Sequence, residues 1–282
     1  MVPQDRSLTS PGHDPQDTDS RLASISVVIP CYRCVDSISH AVKSVYEQTL
    51  RPLEVILVND CSPDATLARL HEEQLAYPQG WIKVISLPLN AGPGTARNAG
   101  WAAARGKYIA FLDADDTWRQ NKLEVQYNWL ESHPDAVLLG QSFKGGEVVE
   151  MSKCAVNFTP VTQRMLLRQN YFSTPSVMVR RDVVHRFHEG KRYCEDYQLW
   201  CDICFAGNPC YTVDYPLFDV HKPVYGASGL SGQLWRMEVG ELAVYRSLLK
   251  QGRIGLLTFA VASTWSLAKY GRRVVKSTWR RL

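Results

Sequence analysis

The 282-residue chain predicts an α/β protein with a mainly parallel, Rossmann-like sheet flanked by helices, and three observations predict it. Short β-branched runs alternate with stretches of helical periodicity, the pattern of strands buried on both faces and joined by covering helices. Hydrophobic residues make up 45% of the chain, enough for one sizeable core. Polar and glycine-rich residues gather where each apolar run stops, at the strand ends where ligands collect in such sheets.

The first 24 residues are rich in Pro, Ser, Asp and Gln and lack an apolar run, so they predict a disordered leader without a signal peptide. ISVVIP (25–30) predicts the first strand, and Ile38, Val42, Val45 and Tyr46 repeat at helical spacing after it. LEVILVND (53–60) then precedes DATLARLHEEQLA, and WIKVISL (81–87) precedes GTARNAGWAAARG. KYIAFLDAD precedes RQNKLEVQYNWLESH, and AVLLG closes the alternation near residue 140. Residues 25–140 form one half of the predicted domain. In residues 141–235 the pattern loosens into a helical VTQRMLLRQN, a strand SVMVR and the charged EGKRYCEDYQLWCDICFAG, an α+β elaboration of the same domain. Residues 236–282 read as a helical basic tail.

The net charge of +4 is unevenly spread, because nine basic residues and no acid follow Glu241, leaving −5 on the preceding body. Such a body makes nucleic acid an unsuitable partner. The eight cysteines read as reduced thiols, and Cys201 and Cys204 fall in an apolar helical pattern that favours packing over zinc.

The strand ends carry the chemistry: Pro30-Cys31-Tyr32, then Asn59-Asp60-Cys61-Ser62, then Asn90 to Gly94, then Asp113-Ala114-Asp115-Asp116. Asp60 reads either as a turn or helix cap or as an acceptor for a nucleobase N–H, with Tyr32 as a stacking face. The glycine turn before GTARNAG opens a helix whose free N–H groups suit an anion, and Arg97 reads as a phosphate contact or a salt bridge. Three aspartates within four positions repel one another and call for a cation or donors.

D-x-D-x-T, met by Asp113, Asp115 and Thr117, resembles the haloacid dehalogenase phosphatases, which would make Asp113 a nucleophile. That motif belongs at the end of a first strand, and here Glu195-Asp196 follows no apolar strand. Over residues 25–235 the chain is more similar to the family 2 glycosyltransferases of the GT-A fold. The resemblance rests on VVIPCY, a Q-T pair with VNDCS, the Asn90 to Gly100 run N-x-G-x-x-x-A-R-N-x-G, FLDADD and EDYQLW, in that order. It implies transfer of a sugar from a UDP, GDP or dTDP sugar to the hydroxyl of a glycan or lipid-linked acceptor, with inversion, in polysaccharide or glycolipid biosynthesis. It implies donor contacts at Pro30, Tyr32, Asp60, Arg97, Asp113, Ala114 and Asp115. It also implies Mg²⁺ or Mn²⁺ on Asp115 and Asp113, and places the general base at Asp196 beside Glu195. Asn59 and Arg33 depart from the family pattern, where Asp and Asn are usual. A non-catalytic, membrane-associated binder of nucleotide sugars is the third reading.

IGLLTFAVASTWSLA (254–268) is uncharged but shorter than the roughly 20 residues of a spanning helix. With KYGRRVVKSTWRRL after it, the segment fits either an interfacial helix on anionic lipid or a helix packed on the body. The expected location is cytoplasmic, peripheral at the inner face of the plasma membrane. The glycine-rich stretch 221–235 reads as a mobile loop that could bring His221 or Lys222 to the diphosphate, or as an ordinary loop.

Overall fold

A computed structural model describes residues 22–141, 156–220 and 233–279. The leader segment 1–21, and His221 and Lys222, lie outside the described residues. Strand β1 covers Leu22–Cys31, so residues 22–24 belong to the sheet rather than to a leader. The units that follow are α1 (Ile38–Tyr46), β2 (Arg51–Asn59), α2 (Thr66–Ala76), β3 (Ile82–Ser86), α3 (Pro93–Ala103), β4 (Tyr108–Phe111), β5 (Asp116–Trp118), α4 (Lys122–Ser132) and β6 (Leu138–Gln141).

The second half supplies β7 (Phe158–Pro160), α5 (Gln163–Leu166), β8 (Met178–Arg180), α6 (Glu195–Phe205), β9 (Cys210–Val213) and β10 (Phe218–Val220). Its strands join the sheet of the first half, in the order β3-β2-β1-β4-β8-β6-β9-β7, while β10 pairs separately with β5. Strands β1 to β4 are parallel, β8 runs antiparallel between β4 and β6, and β6 pairs in parallel with β9. AVLLG therefore joins the sheet through β8 and not directly beside β4. Because β1 leads to β2 on one side and borders β4 on the other, a crevice opens beyond their carboxyl ends.

Side chains alternate across β1 with period two. Val27 and Ile29 enter one core with Val42, Val45, Val55 and Leu57, whereas Val28 enters the other with Ile56, Trp101 and Trp200. A Cβ on Gly100 would lie 2.4 Å from Val28 Cγ1, so α3 reaches the sheet only because that position has no side chain.

The expected helix VTQRMLLRQN is a single turn. Thr162 starts it by accepting the Met165 N–H, and Asn170 turns the chain away, its Oδ1 accepting the Phe172 N–H at 3.0 Å. The tail forms α7 (Leu234–Lys250) and α8 (Leu256–Trp279). Helix α7 packs on α6, and α8 packs on α7. No helix among the described residues is long and apolar enough to cross a membrane.

Candidate active site

The loops after β1 and β2 are tied into one rim. Arg33, with φ of 51°, donates its N–H to Ser62 Oγ at 2.9 Å, and Cys34 donates its N–H to Thr66 Oγ1 at 3.1 Å. Asn59, where the family pattern has Asp, donates from Nδ2 to Ser86 Oγ at 2.9 Å and accepts the Ser62 N–H on Oδ1 at 3.1 Å. An amide can do both at once, whereas a carboxylate has no donor. Pro30 pairs with Val58 across the sheet, and Tyr32 stands out from this rim at 45% exposure with Arg33 against its ring.

Asp60 is buried, and its two oxygens accept the Ala91 and Gly92 N–H groups at 2.8 and 2.9 Å. Gly92 has φ of 87°, the left-handed backbone that turns both amides toward that carboxylate. Asp60 thus clamps the glycine turn, and any base contact must use the remaining lone pairs of the same oxygens.

Helix α3 starts at this turn, and its residues divide the work. Asn98 clamps the backbone of Phe187, donating from Nδ2 to the carbonyl at 2.7 Å and accepting its N–H at 3.0 Å. Arg97 points the other way and is buried. Its Nη2 donates to Asp113 Oδ1 at 2.7 Å and its Nη1 to Glu195 Oε1 at 3.1 Å. The salt-bridge reading of Arg97 holds in a changed form, since its ion pairs are buried rather than at the surface. The guanidinium is a buried bridge between two acids 82 residues apart in sequence, from the end of β4 to the start of α6. Burial lowers its pKa and the Asp113 and Glu195 charges raise it, with a net rise.

Glu195 and Asp196 occupy the first turn of α6, where the helix dipole favours negative charge. Their approach to α3 depends on Gly94, since a Cβ there would meet Phe187 Cβ at 3.2 Å and Glu195 Cγ at 3.4 Å. Burial and then the Asp196 charge push Glu195 up to about 7, against the opposing pull of Arg97. Asp196 is half-buried, and burial also raises its pKa, opposed by the Tyr197 N–H and by Arg97. Its Oδ1 accepts the Tyr197 N–H at 2.7 Å, while Asn170 and Thr174 reach Oδ2 only at 3.3 and 3.4 Å.

Asp113, Ala114 and Asp115 lie in the turn between β4 and β5; Asp113 keeps 32% of its side chain exposed, Asp115 is half-buried and Ala114 is buried. Asp116 is buried, and burial followed by the Asp113 charge pushes it up to about 7. The exposed part of Asp113, with Asp115 beside it, offers a small set of hard oxygen donors. Such a set suits Mg²⁺ or Mn²⁺, which complete their shell with phosphate oxygens and water. Among the described residues no cluster of three or more His, Cys, Asp or Glu forms a protein-only cage.

The structure therefore brings Asp113, Arg97, Glu195 and Asp196 together, with Asp60 holding the turn that feeds Arg97 into them. Asn98, Asn170 and Thr174 escaped the sequence reading. Asn98 was visible inside the A-R-N run, whereas the other two sit on an irregular segment with no periodicity to mark them.

Comparison with known proteins gives the family and the fold. The family model Glycosyl transferase family 2 matches residues 26–187. A Bacillus subtilis (strain 168) protein assigned by name to teichuronic acid biosynthesis, TuaG, is 27% identical over 89% of this chain and 96% of its own length. The succinoglycan biosynthesis protein ExoO of Rhizobium meliloti is 32% identical over 67% of the chain, which spans 58% of that protein. Among solved structures, S. aureus TarS residues 1–349 with UDP-GlcNAc superposes with a TM-score of 0.62 at 21% identity, covering 80% of this chain and 66% of that one. The mannosyltransferase PcManGT of Pyrobaculum calidifontis, with GDP-Man and Mn²⁺, gives 0.63 at 15% identity over 92% of this chain and 76% of that one. Both share the GT-A fold with this chain. The phosphatase reading has no support. Asp113 follows the fourth strand, is engaged by Arg97, and sits in a protein that belongs to glycosyl transferase family 2.

Proposed function

We propose that this glycosyltransferase moves a sugar from a UDP, GDP or dTDP sugar to a hydroxyl of a glycan or lipid-linked acceptor, with inversion. The single observation that carries the reading is Arg97, which joins Asp113 on the donor side to Glu195 on the acceptor side in one buried network. Residues 25–140 would hold the donor and 141–235 the acceptor. Tyr32 offers a face for the nucleobase at the rim, Pro30 shapes the loop that carries it, and Asp60 supports the base side through the turn it clamps. Asp113 and Asp115 would hold Mg²⁺ or Mn²⁺, which when bound neutralises charge on the leaving diphosphate. Ala114 between them keeps the turn compact.

Asp196 accepts the proton of the acceptor hydroxyl as the new carbon–oxygen bond forms and the bond to the diphosphate breaks. Oδ2, engaged only at 3.3 and 3.4 Å by Asn170 and Thr174, supports this reading. Glu195, held by Arg97, orients the acceptor. Arg97 acts through these acids as a positioning residue. The names of the relatives, which print teichuronic acid and succinoglycan biosynthesis, support a polysaccharide or glycolipid product, and the location proposed with it is cytoplasmic, peripheral at the inner face of the plasma membrane.

Screening nucleotide sugars for Mn²⁺-dependent binding and turnover tests the reading. The expected outcome is saturable turnover of one donor, abolished by EDTA and by Asp115→Ala. Turnover of simple phosphate esters in place of any nucleotide sugar would overturn it.

A further inference from the structure

Helix α8 is amphipathic the wrong way round for a helix covering a soluble body. Its inward side carries the polar bonds: beside Ala262 and Phe259, which reach the core, Arg273 pairs with the fully buried Glu238 at 2.9 Å, Ser266 donates to the same carboxylate at 2.8 Å, and Lys269 pairs with Glu241 at 2.7 Å. Lys269 also donates to the Arg168 carbonyl at 2.7 Å, so these bonds fix how the helix is rotated about its axis. Its outward side is apolar. Leu256, Leu257 and Val261 are 75%, 79% and 62% exposed, and Trp265, Leu267 and Val275 continue the stripe. Thr264 lies within it, its hydroxyl donating back to the Ala260 carbonyl at 2.9 Å. Surface helices normally present the reverse arrangement, and a contiguous apolar face marks a contact surface.

We infer that this outward face of α8 lies in the interface of an anionic lipid bilayer, parallel to its plane. Charge identifies the occupant. Nine basic residues and no acid follow Glu241; Lys269 and Arg273 pair inward with Glu241 and Glu238, which leaves seven basic residues with no acid among residues 242–282. Arg272 is exposed beside the apolar stripe. A two-fold contact with a second copy would place two such basic tails against each other, whereas anionic headgroups complement them. The helix has 24 residues, about 36 Å at 1.5 Å per residue, yet is not apolar enough to cross. It therefore lies on the surface. The placement deepens the peripheral location proposed above and does not depend on the transfer chemistry.

Co-sedimentation of the full chain with vesicles of phosphatidylcholine, alone or with phosphatidylglycerol, tests the inference. The wild-type protein should bind the anionic vesicles roughly tenfold more strongly than the neutral ones, and less well as salt rises. The double variant Leu257→Asp, Val261→Asp should lose vesicle binding while keeping its thermal midpoint and its donor turnover in lipid-free buffer. Undiminished sedimentation of that variant, or no binding by the wild type, overturns the inference. So does a dimer in lipid-free buffer that the variant dissolves while vesicles leave the wild type in the supernatant. Vesicle binding without turnover of any nucleotide sugar would instead sink the transferase reading and leave the docking face standing.

Discussion

Arg97 donates to two carboxylates and is itself almost sealed from water, with its Nε lacking an acceptor among the described residues. Removing one member of such a buried group leaves uncompensated charge, so Arg97→Ala should destabilise the fold by about 3–5 kcal/mol in urea unfolding. Arg97→Lys should restore part of that stability but not the two-pronged geometry, and activity should stay low. Asp196→Asn should bind donor with unchanged affinity by calorimetry and lower transfer by roughly 10²–10⁴-fold, the usual contribution of a general base. Normal transfer by that variant would remove the assignment. Glu195 gives a pH signature. Its folded pKa is about 7 against an ordinary 4.5, so the folded state holds a proton that the unfolded state releases. Stability from this group is complete below pH 4.5 and is lost as pH rises through about 7. Glu195→Gln, which cannot ionise, should flatten unfolding free energy against pH across that window.

At the scale of elements, α3 is the component that assembles the site. One turn of helix sends Arg97 to the acids and Asn98 to the Phe187 backbone, while Gly94 and Gly100 let the helix approach α6 and the sheet. Gly100→Ala would drive a methyl to 2.4 Å from Val28 Cγ1. The expected cost is about 1–3 kcal/mol from overpacking, read as a lower thermal midpoint. Gly94→Ala meets longer contacts, at 3.2 and 3.4 Å, but one of them is Glu195. It should therefore lower transfer more than it lowers stability, measured by kcat beside thermal unfolding. These elements were largely legible. The strands β1 to β4 and helices α1, α3, α4 and α6 follow apolar periods long enough to read. The short α5 was not, because its extent is set by Asn170 turning the chain, and hydrophobic spacing carries no trace of that bond.

Across the whole molecule, the sequence by itself determined the order of strand and helix units, the acids at the ends of β4 and at the start of α6, and the basic bias of the tail. Those properties are local: each depends on residue type and spacing over a dozen positions or fewer. Only the tertiary structure decided that β8 runs antiparallel between β4 and β6, that Asp60 serves the glycine turn, and that Arg97 faces Asp113 and Glu195 rather than solvent. It also decided which side of α8 is turned outward, since the periodicity of that helix fits either rotation until Glu238 and Glu241 claim Arg273 and Lys269. For the charged residues the physical reason is the same. A charged side chain's role depends on which hydrogen-bond donor or opposite charge packing brings within reach, and for Arg97 such a partner lies 98 residues away along the chain.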